Sequence, residues 1–256
     1  MRTWLDPTRA GEVVVSLRED SERWEPVAAD WTAARAVRAH VERHLGPVEA
    51  LFVERRPDRV LITVLHVVRP ETHVLVTCGM SSLPLRESAD DAPRRAELVL
   101  GLPRRRSPPV GDAPGRSTWP VDLLTTLARH PHKARAGLET GRTVTHGVPP
   151  RPFGPDTPFC GALIRPPVGV PAGFTRFTRD DGAPVELRLV TPLLEDELRG
   201  ARRLGSLVLL DQLEAAGVGL VADSGRRPVI GRGPSPPRPP PPPPLPLPRA
   251  RAGSRT

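Results

Sequence analysis

Three apolar runs set close together along the chain restrict its fold more than any other feature. Residues 59–68, 73–78 and 96–102 are made mostly of Val, Leu, Ile and Ala. Pro57-Asp58 precedes the first run and Pro70-Glu71 separates it from the second. A parallel neighbour needs a crossover of a dozen or more residues, usually a helix, and these turns leave no room for one. The runs therefore predict a meander of antiparallel strands, with residues 48–54 as a further strand ahead of them. Residues 59–68 are apolar on nearly both faces, which predicts a central strand. The second run leaves the sheet through Cys78, Gly79, Met80 and Ser81, then turns out through Ser82, Leu83 and Pro84.

Helices pack around this sheet. Thr32 is positioned to cap a helix that ends at Leu45, with Gly46 and Pro47 as its stop. Ala33, Val37, Val41 and Leu45 form its apolar side. Thr118 or Ser117 caps a second helix with Pro120 in its first turn and Val121, Leu124 and Leu127 inward. Residues 131–157 read as loop, and 159–164 and 185–190 as strands. In the latter, Val185, Leu187 and Leu189 alternate with Glu186 and Arg188, which predicts one wet face. Thr191 and Pro192 open a third helix, acidic at Glu195, Asp196 and Glu197 and basic at Arg199, Arg202 and Arg203, matching the helix dipole. Past Gly205, Ser206 caps a fourth, with Leu207, Leu210 and Leu213 inward and Gly217 as its end. The fold class is α+β: a mixed, largely antiparallel sheet with packed helices.

Both ends differ from this body. In residues 1–31, a run at 13–17 has the character of an edge strand, and Trp4, Trp24 and Trp31 are candidates to dock on the body. Residues 32–228 form the domain. Residues 229–256 form a tail read as disordered, in which eleven of the fifteen residues 234–248 are Pro. Such a run excludes helix and sheet and favours a polyproline II rod. Arg238, Pro241 and Pro244 match an SH3-ligand spacing that any six-Pro run meets almost automatically.

Charge narrows the partners. The net charge of +8 is concentrated at the C-terminus, since residues 226–256 carry seven Arg and no acid. The other 225 residues balance 30 basic against 29 acidic side chains. A nucleic-acid-binding body needs a basic stripe of its own, and this one has no excess to build it from. Of the 37 basic residues only Lys133 is Lys. The N-terminus has no apolar signal region and the longest apolar run is about half a membrane span. Two Cys, Cys78 and Cys160, in apolar settings read as buried free thiols in a reducing cytoplasm.

The chain carries no GxSxG, P-loop, GxGxxG, HExxH or paired CxxC. His40 and His44 are spaced as HxxxH, but the residue after His40 is Val41, and Glu42 points away from the pair, so no metal is expected. An enzyme reading would rest on Cys78, with His66 or His73 near it in sequence, or on His146, and no orienting third group accompanies either. No cofactor is expected.

In their order, several segments resemble one family. HVERHLGPV (40–48), HVLVTCGMSSLPL (73–85), AELVLGLP (96–103), WPVDLLTTLARHPH (119–132), TPFCGALIRPP (157–167) and TPLLEDELRGARRLGSLVLLDQLEAAGV (191–218) are similar to suppressor of fused domains in their stand-alone bacterial form. Gly141, Arg142 and Thr143 depart from the family's frequent Gly-His-Thr, and residues 103–118 are rewritten. The resemblance implies a binding module and not an enzyme. Animal members hold a transcription-factor peptide as an added strand, and bacterial members are proposed immunity proteins of polymorphic toxin systems. It therefore implies a cytoplasmic protein that binds a toxin or another extended protein segment. Gly79, Met80 and Ser81 are the candidate partner-binding residues, as the turn that shapes a cleft. An adaptor that recruits a second protein through its proline tail is the other binding reading.

Overall fold

The computed structural model describes residues 12–15, 30–53, 60–85, 94–106, 118–133 and 137–230. It is an α+β fold built on one nine-stranded sheet. In chain order its elements are β1 (Glu12–Val15), α1 (Trp31–Leu45), β2 (Val48–Val53), β3 (Thr63–Val68), β4 (Thr72–Cys78), β5 (Arg95–Pro103), α2 (Trp119–Lys133), β6 (Thr143–His146), β7 (Gly161–Arg165), β8 (Arg176–Thr178), β9 (Pro184–Leu193), α3 (Glu195–Leu204) and α4 (Ser206–Ala215). The strand order is β1-β6-β7-β9-β5-β4-β3-β2, with β8 added to β9. The expected meander is β2-β3-β4-β5, all antiparallel. Only β5–β9 and β1–β6 are parallel. Because β5 joins β9 directly, these two are central. β3 lies second from one edge, although it was expected at the centre. Its middle residues are buried because both sheet faces are covered there. The run expected at 13–17 overlaps β1 (Glu12–Val15), which is an edge strand; residues 16 and 17 lie outside the described residues.

Two apolar layers sandwich the meander. Val64, Leu75, Leu98 and Leu100 pack with Leu123, Leu124 and Leu127 of α2 on one face. Leu65, Val67, Val74, Val76 and Val99 pack with Val37, Val41 and Leu45 of α1 on the other. A third cluster joins Leu163 and Leu193 to Leu198, Leu209 and Leu213 of the closing helices.

Several local expectations need correction. The cap of α1 is Asp30, whose carboxylate accepts from the Ala33 N–H at 2.9 Å, and not Thr32. Strand β6, Thr-Val-Thr-His, forms inside 131–157; with one apolar residue among its four and Gly and Pro around it, it gave no periodic signal. On the predicted wet face of β9, Glu186 stays part-exposed, but Arg188 is buried and donates to the Leu138 carbonyl, so residues near 138 cover that end of the face. Strand β9 continues through Thr191 and Pro192 to Leu193, and α3 starts at Glu195, three residues later than expected. Thr191 serves instead as the acceptor for Nε of the fully buried Arg165. On α4, Leu209 and Leu213 are buried and Leu207 is exposed. Trp31 is also exposed instead of docked. Trp4, Trp24, the Pro57-Asp58 turn and the proline run lie outside the described residues. Val229 is buried with α3 and α4, so ordered packing extends to the first residues assigned to the tail.

Candidate interaction site

The sequence directs attention to Gly79, Met80 and Ser81, and the reason for their conformation lies on β5. The β4–β5 ladder stops at the Val76–Val99 pair. Past that point a side chain takes over from the strand. Oε1 of Glu97 accepts from the Gly79 N–H (3.0 Å), the Ser81 N–H (2.9 Å) and the Ser81 hydroxyl (2.7 Å). Its Oε2 accepts from the Thr77 hydroxyl (2.6 Å), and Thr77 Oγ1 accepts the Leu98 N–H that the ladder leaves over. Glu97 is fully buried, and burial raises its pKa against the opposing pull of these four hydrogen bonds. Gly79 has φ +125°, and a Cβ there would sit 2.1 Å from the Leu61 carbonyl oxygen. No other residue fits that turn.

Met80 and Ser81 are fully buried, so these residues present no surface of their own. Their carbonyls fix what surrounds them. The Met80 carbonyl accepts from His132 Nε2 (2.9 Å) on α2. The Ser81 carbonyl accepts from Arg95 (2.6 Å) and Arg179 (3.0 Å). Arg179 is paired with Asp30 (2.6 Å) and Asp181 (3.1 Å). The Ala33 N–H, with help from Arg179, holds the Asp30 carboxyl below the usual carboxylate range. A continuous polar path thus runs from Glu97 through the turn to the N-cap of α1, and fixes where that helix begins.

What begins there is exposed. Trp31, in the first turn of α1, is 74% accessible. Cys78 donates to the Ala34 carbonyl at 3.6 Å, which places the next turn of α1 over the end of β4. Cys78 is in register with Thr63, and Thr63 with Val53. Directly paired residues share a face, so Val53 lies on the α1 face about 10 Å, two strand spacings, from Cys78. By the same rule Val76, Leu65 and Leu51 form the adjacent row. Helix α1 covers Val76 and Leu65 but stops short of the edge strand, leaving Leu51 48% and Val53 59% accessible. Trp31 and Arg38 lie on the flank of α1 opposite His40, and His40 faces Phe174 and Phe177. The exposed apolar side chains of Trp31 on α1 and of Leu51 and Val53 on β2 thus lie on one side of the sheet. Among the described residues no strand pairs with the outer edge of β2. Such an edge is a template for another strand unless charge, Pro or a bulge blunts it. β2 has a bulge near Glu49, and its Leu51-Phe52-Val53 half carries no charge, Pro or bulge of its own.

The other residues of interest are structural. Burial pushes the Cys78 thiol far up and Cys160 up to about 11, so neither is a nucleophile at neutral pH. His73 and Cys78 are five residues apart on one strand and point to opposite faces. His73 donates through Nε2 to the Arg104 carbonyl and accepts through Nδ1 from His66. That leaves His66 Nδ1 a buried acceptor without a partner. His40 is buried, with its Nε2 on the Phe174 carbonyl, and His44 packs against its ring. His146 donates through Nδ1 to the Arg151 and Pro152 carbonyls and stacks on Phe153. Gly141 and Arg142 bond to Ile164 and Glu139 within the body. Among the described residues no group of three or more His, Cys, Asp or Glu is placed to hold a metal. None of their helices is long and apolar enough to cross a membrane.

The family model of the Suppressor of fused protein matches residues 58–227, more than half the chain. The solved structure of the Sufu-Fu complex superposes with a TM-score of 0.56 at 16% identity, covering 77% of this chain and 92% of that one. The crystal structure of Drosophila Suppressor of Fused gives 0.47 at 17% identity, covering 65% of this chain and 42% of that one. No curated protein sequence matches the chain.

Proposed function

This chain belongs to the suppressor of fused family, and we propose that it is a non-enzymatic protein-binding domain whose partner adds an extended segment to the edge of β2. The observation that carries this reading is the outer edge of β2, unpaired among the described residues, with Leu51 and Val53 exposed on the α1 side of the sheet. Main-chain hydrogen bonds to the edge give affinity, and side chains of the incoming strand pack alternately on Leu51, Val53 and Trp31. The buried Gly79-Met80-Ser81 turn acts at one remove, by setting the start of α1 and with it the position of Trp31. The Sufu-Fu complex shows a related fold engaged with a protein.

The finer reading is an immunity protein of the cytoplasm, which neutralises a polymorphic toxin by occupying one of its segments. It rests on the resemblance to the stand-alone bacterial form. Where a secreted protein with a toxin-like C-terminal domain is encoded next to this chain, that domain is the partner to test. Co-expression of the full chain is expected to restore growth, and Leu51→Arg to abolish both rescue and co-purification while leaving the fold intact. Rescue undiminished by Leu51→Arg refutes the β2 site. Copurification without rescue refutes the immunity role alone.

A further inference from the structure

The C-terminal strand of polypeptide that follows α4 is latched to α3 in a definite direction. Glu197, fully buried in the first turn of α3, is held by both guanidinium nitrogens of Arg226 and accepts from the Val229 N–H at 3.1 Å. Arg226 also donates to the Pro192 carbonyl and lies over the Phe159 ring. Ile230 then packs on Gly200, where a Cβ would sit 2.2 Å from its Cδ1. The strap therefore runs along α3 from its N-terminal to its C-terminal end. Leu204 is the next residue on that stripe, one turn beyond Gly200 and about 40° round. It is 46% accessible, and past the Gly205 corner Leu207 and Val208 are 64% and 42% accessible. Three large apolar side chains lie uncovered where the strap is heading.

We propose that residues 231–256 continue along this stripe in cis, laying Pro and Leu side chains over Leu204, Leu207 and Val208. Reach is sufficient. Leu204 lies about 6 Å along the axis from Gly200, roughly two extended residues, so Gly231 and Arg232 span the gap and the first prolines arrive at α4. The composition fits, since 26 residues with many Pro and two Leu offer apolar faces with little conformational entropy to lose. Charge fits as well. The segment carries five Arg and no acid, and the exposed side of α4 beyond Leu207 carries Asp211 and Glu214. Arg202 and Arg203 at the end of α3 favour a path over α4 and not back over α3.

The test is made in the full chain, whose two native thiols are buried. Leu207→Cys combined with Pro236→Cys is treated with a short bismaleimide, and Leu51→Cys with Pro236→Cys serves as the distant control. Intrachain cross-linking is expected to favour the Leu207 pair by about tenfold or more, as for a tethered and docked segment. Equal yields overturn the proposal, and so do products joining two chains, which would mean that a second copy covers α4. Amide hydrogen exchange gives an independent reading. Protection at 206–210 is expected to fall when residues 231–256 are deleted, and unchanged protection overturns the proposal even if the cysteine variants fold poorly.

Discussion

Replacing Glu97 by Ala tests whether one buried carboxylate holds the turn on which α1 depends. The substitution removes the acceptor for two main-chain N–H groups, of Gly79 and Ser81, and for two hydroxyls. The hydroxyls can rotate toward other acceptors, whereas the N–H groups cannot. Each orphaned buried N–H costs about 1–3 kcal/mol, and releasing a buried charge offsets part of the sum. The net loss expected is about 3–5 kcal/mol. Glu97→Gln keeps an oxygen at the Oε1 position and its three hydrogen bonds, so it is expected to lose only about 1 kcal/mol. With a urea m-value of about 2–3 kcal/mol/M, the Ala variant moves the midpoint down by about 1–2 M and the Gln variant by under about 0.5 M. Equilibrium unfolding followed by circular dichroism reads both. If Gln is as damaging as Ala, negative charge and not hydrogen-bond acceptance holds the turn. If Ala lies within about 0.5 M of the parent, Glu97 does not hold it at all.

Other perturbations probe separate parts of the argument. Gly79→Ala places a methyl against the Leu61 carbonyl at a positive φ, so loss of more than about 4 kcal/mol or failure to fold is expected, and a soluble variant with parental stability contradicts the geometry. Burial holds His66 and His130 at about 4, below the ordinary 6.5. The unfolded chain then binds more protons between those values, so this stability is complete above 6.5 and is lost as pH falls toward 4, up to about 3 kcal/mol per histidine. Glu97 and Asp122, raised by burial, act in the opposite sense, their stabilisation being lost as pH rises. His130→Gln is expected to flatten the fall of the urea midpoint from pH 6.5 to 4, and an unchanged slope removes His130 from the account. Arg226→Ala leaves Glu197 buried without its cation, a loss of about 3–5 kcal/mol that Glu197→Gln combined with it should partly restore. Absence of that coupling in a double-mutant cycle contradicts the latch.

The parts of the fold that follow from apolar period and turn chemistry were legible in the sequence. The meander, the inner faces of α1 and α2, and the stops at Gly46 and Gly217 are such parts, because each depends on residues a few positions apart. Elements whose form depends on distant partners were not. Thr191-Pro192 has the local chemistry of a helix start, yet pairing with β7 extends β9 through it, and tertiary hydrogen bonds outweigh a cap worth about 1 kcal/mol. Arg188 reads as solvent-facing until residues near 138, fifty positions away, cover it. The proposed interaction site shows the same division more sharply. The Gly-Met-Ser turn was visible as a motif, but its buried anchor is a lone acid inside the apolar run 96–102. That mismatch between Glu97 and its neighbours was the one available signal. The proposed surface was not readable, because Leu51 and Val53 come to share a side of the sheet with α1 only through the register of three strands and the placement of one helix. A turn that is itself buried can thus mark an interaction site only indirectly, through whatever its hydrogen bonds hold in place. Variants of Ser81 should therefore alter partner binding in proportion to how far they displace α1, and variants of Trp31 should alter binding with the fold unmoved.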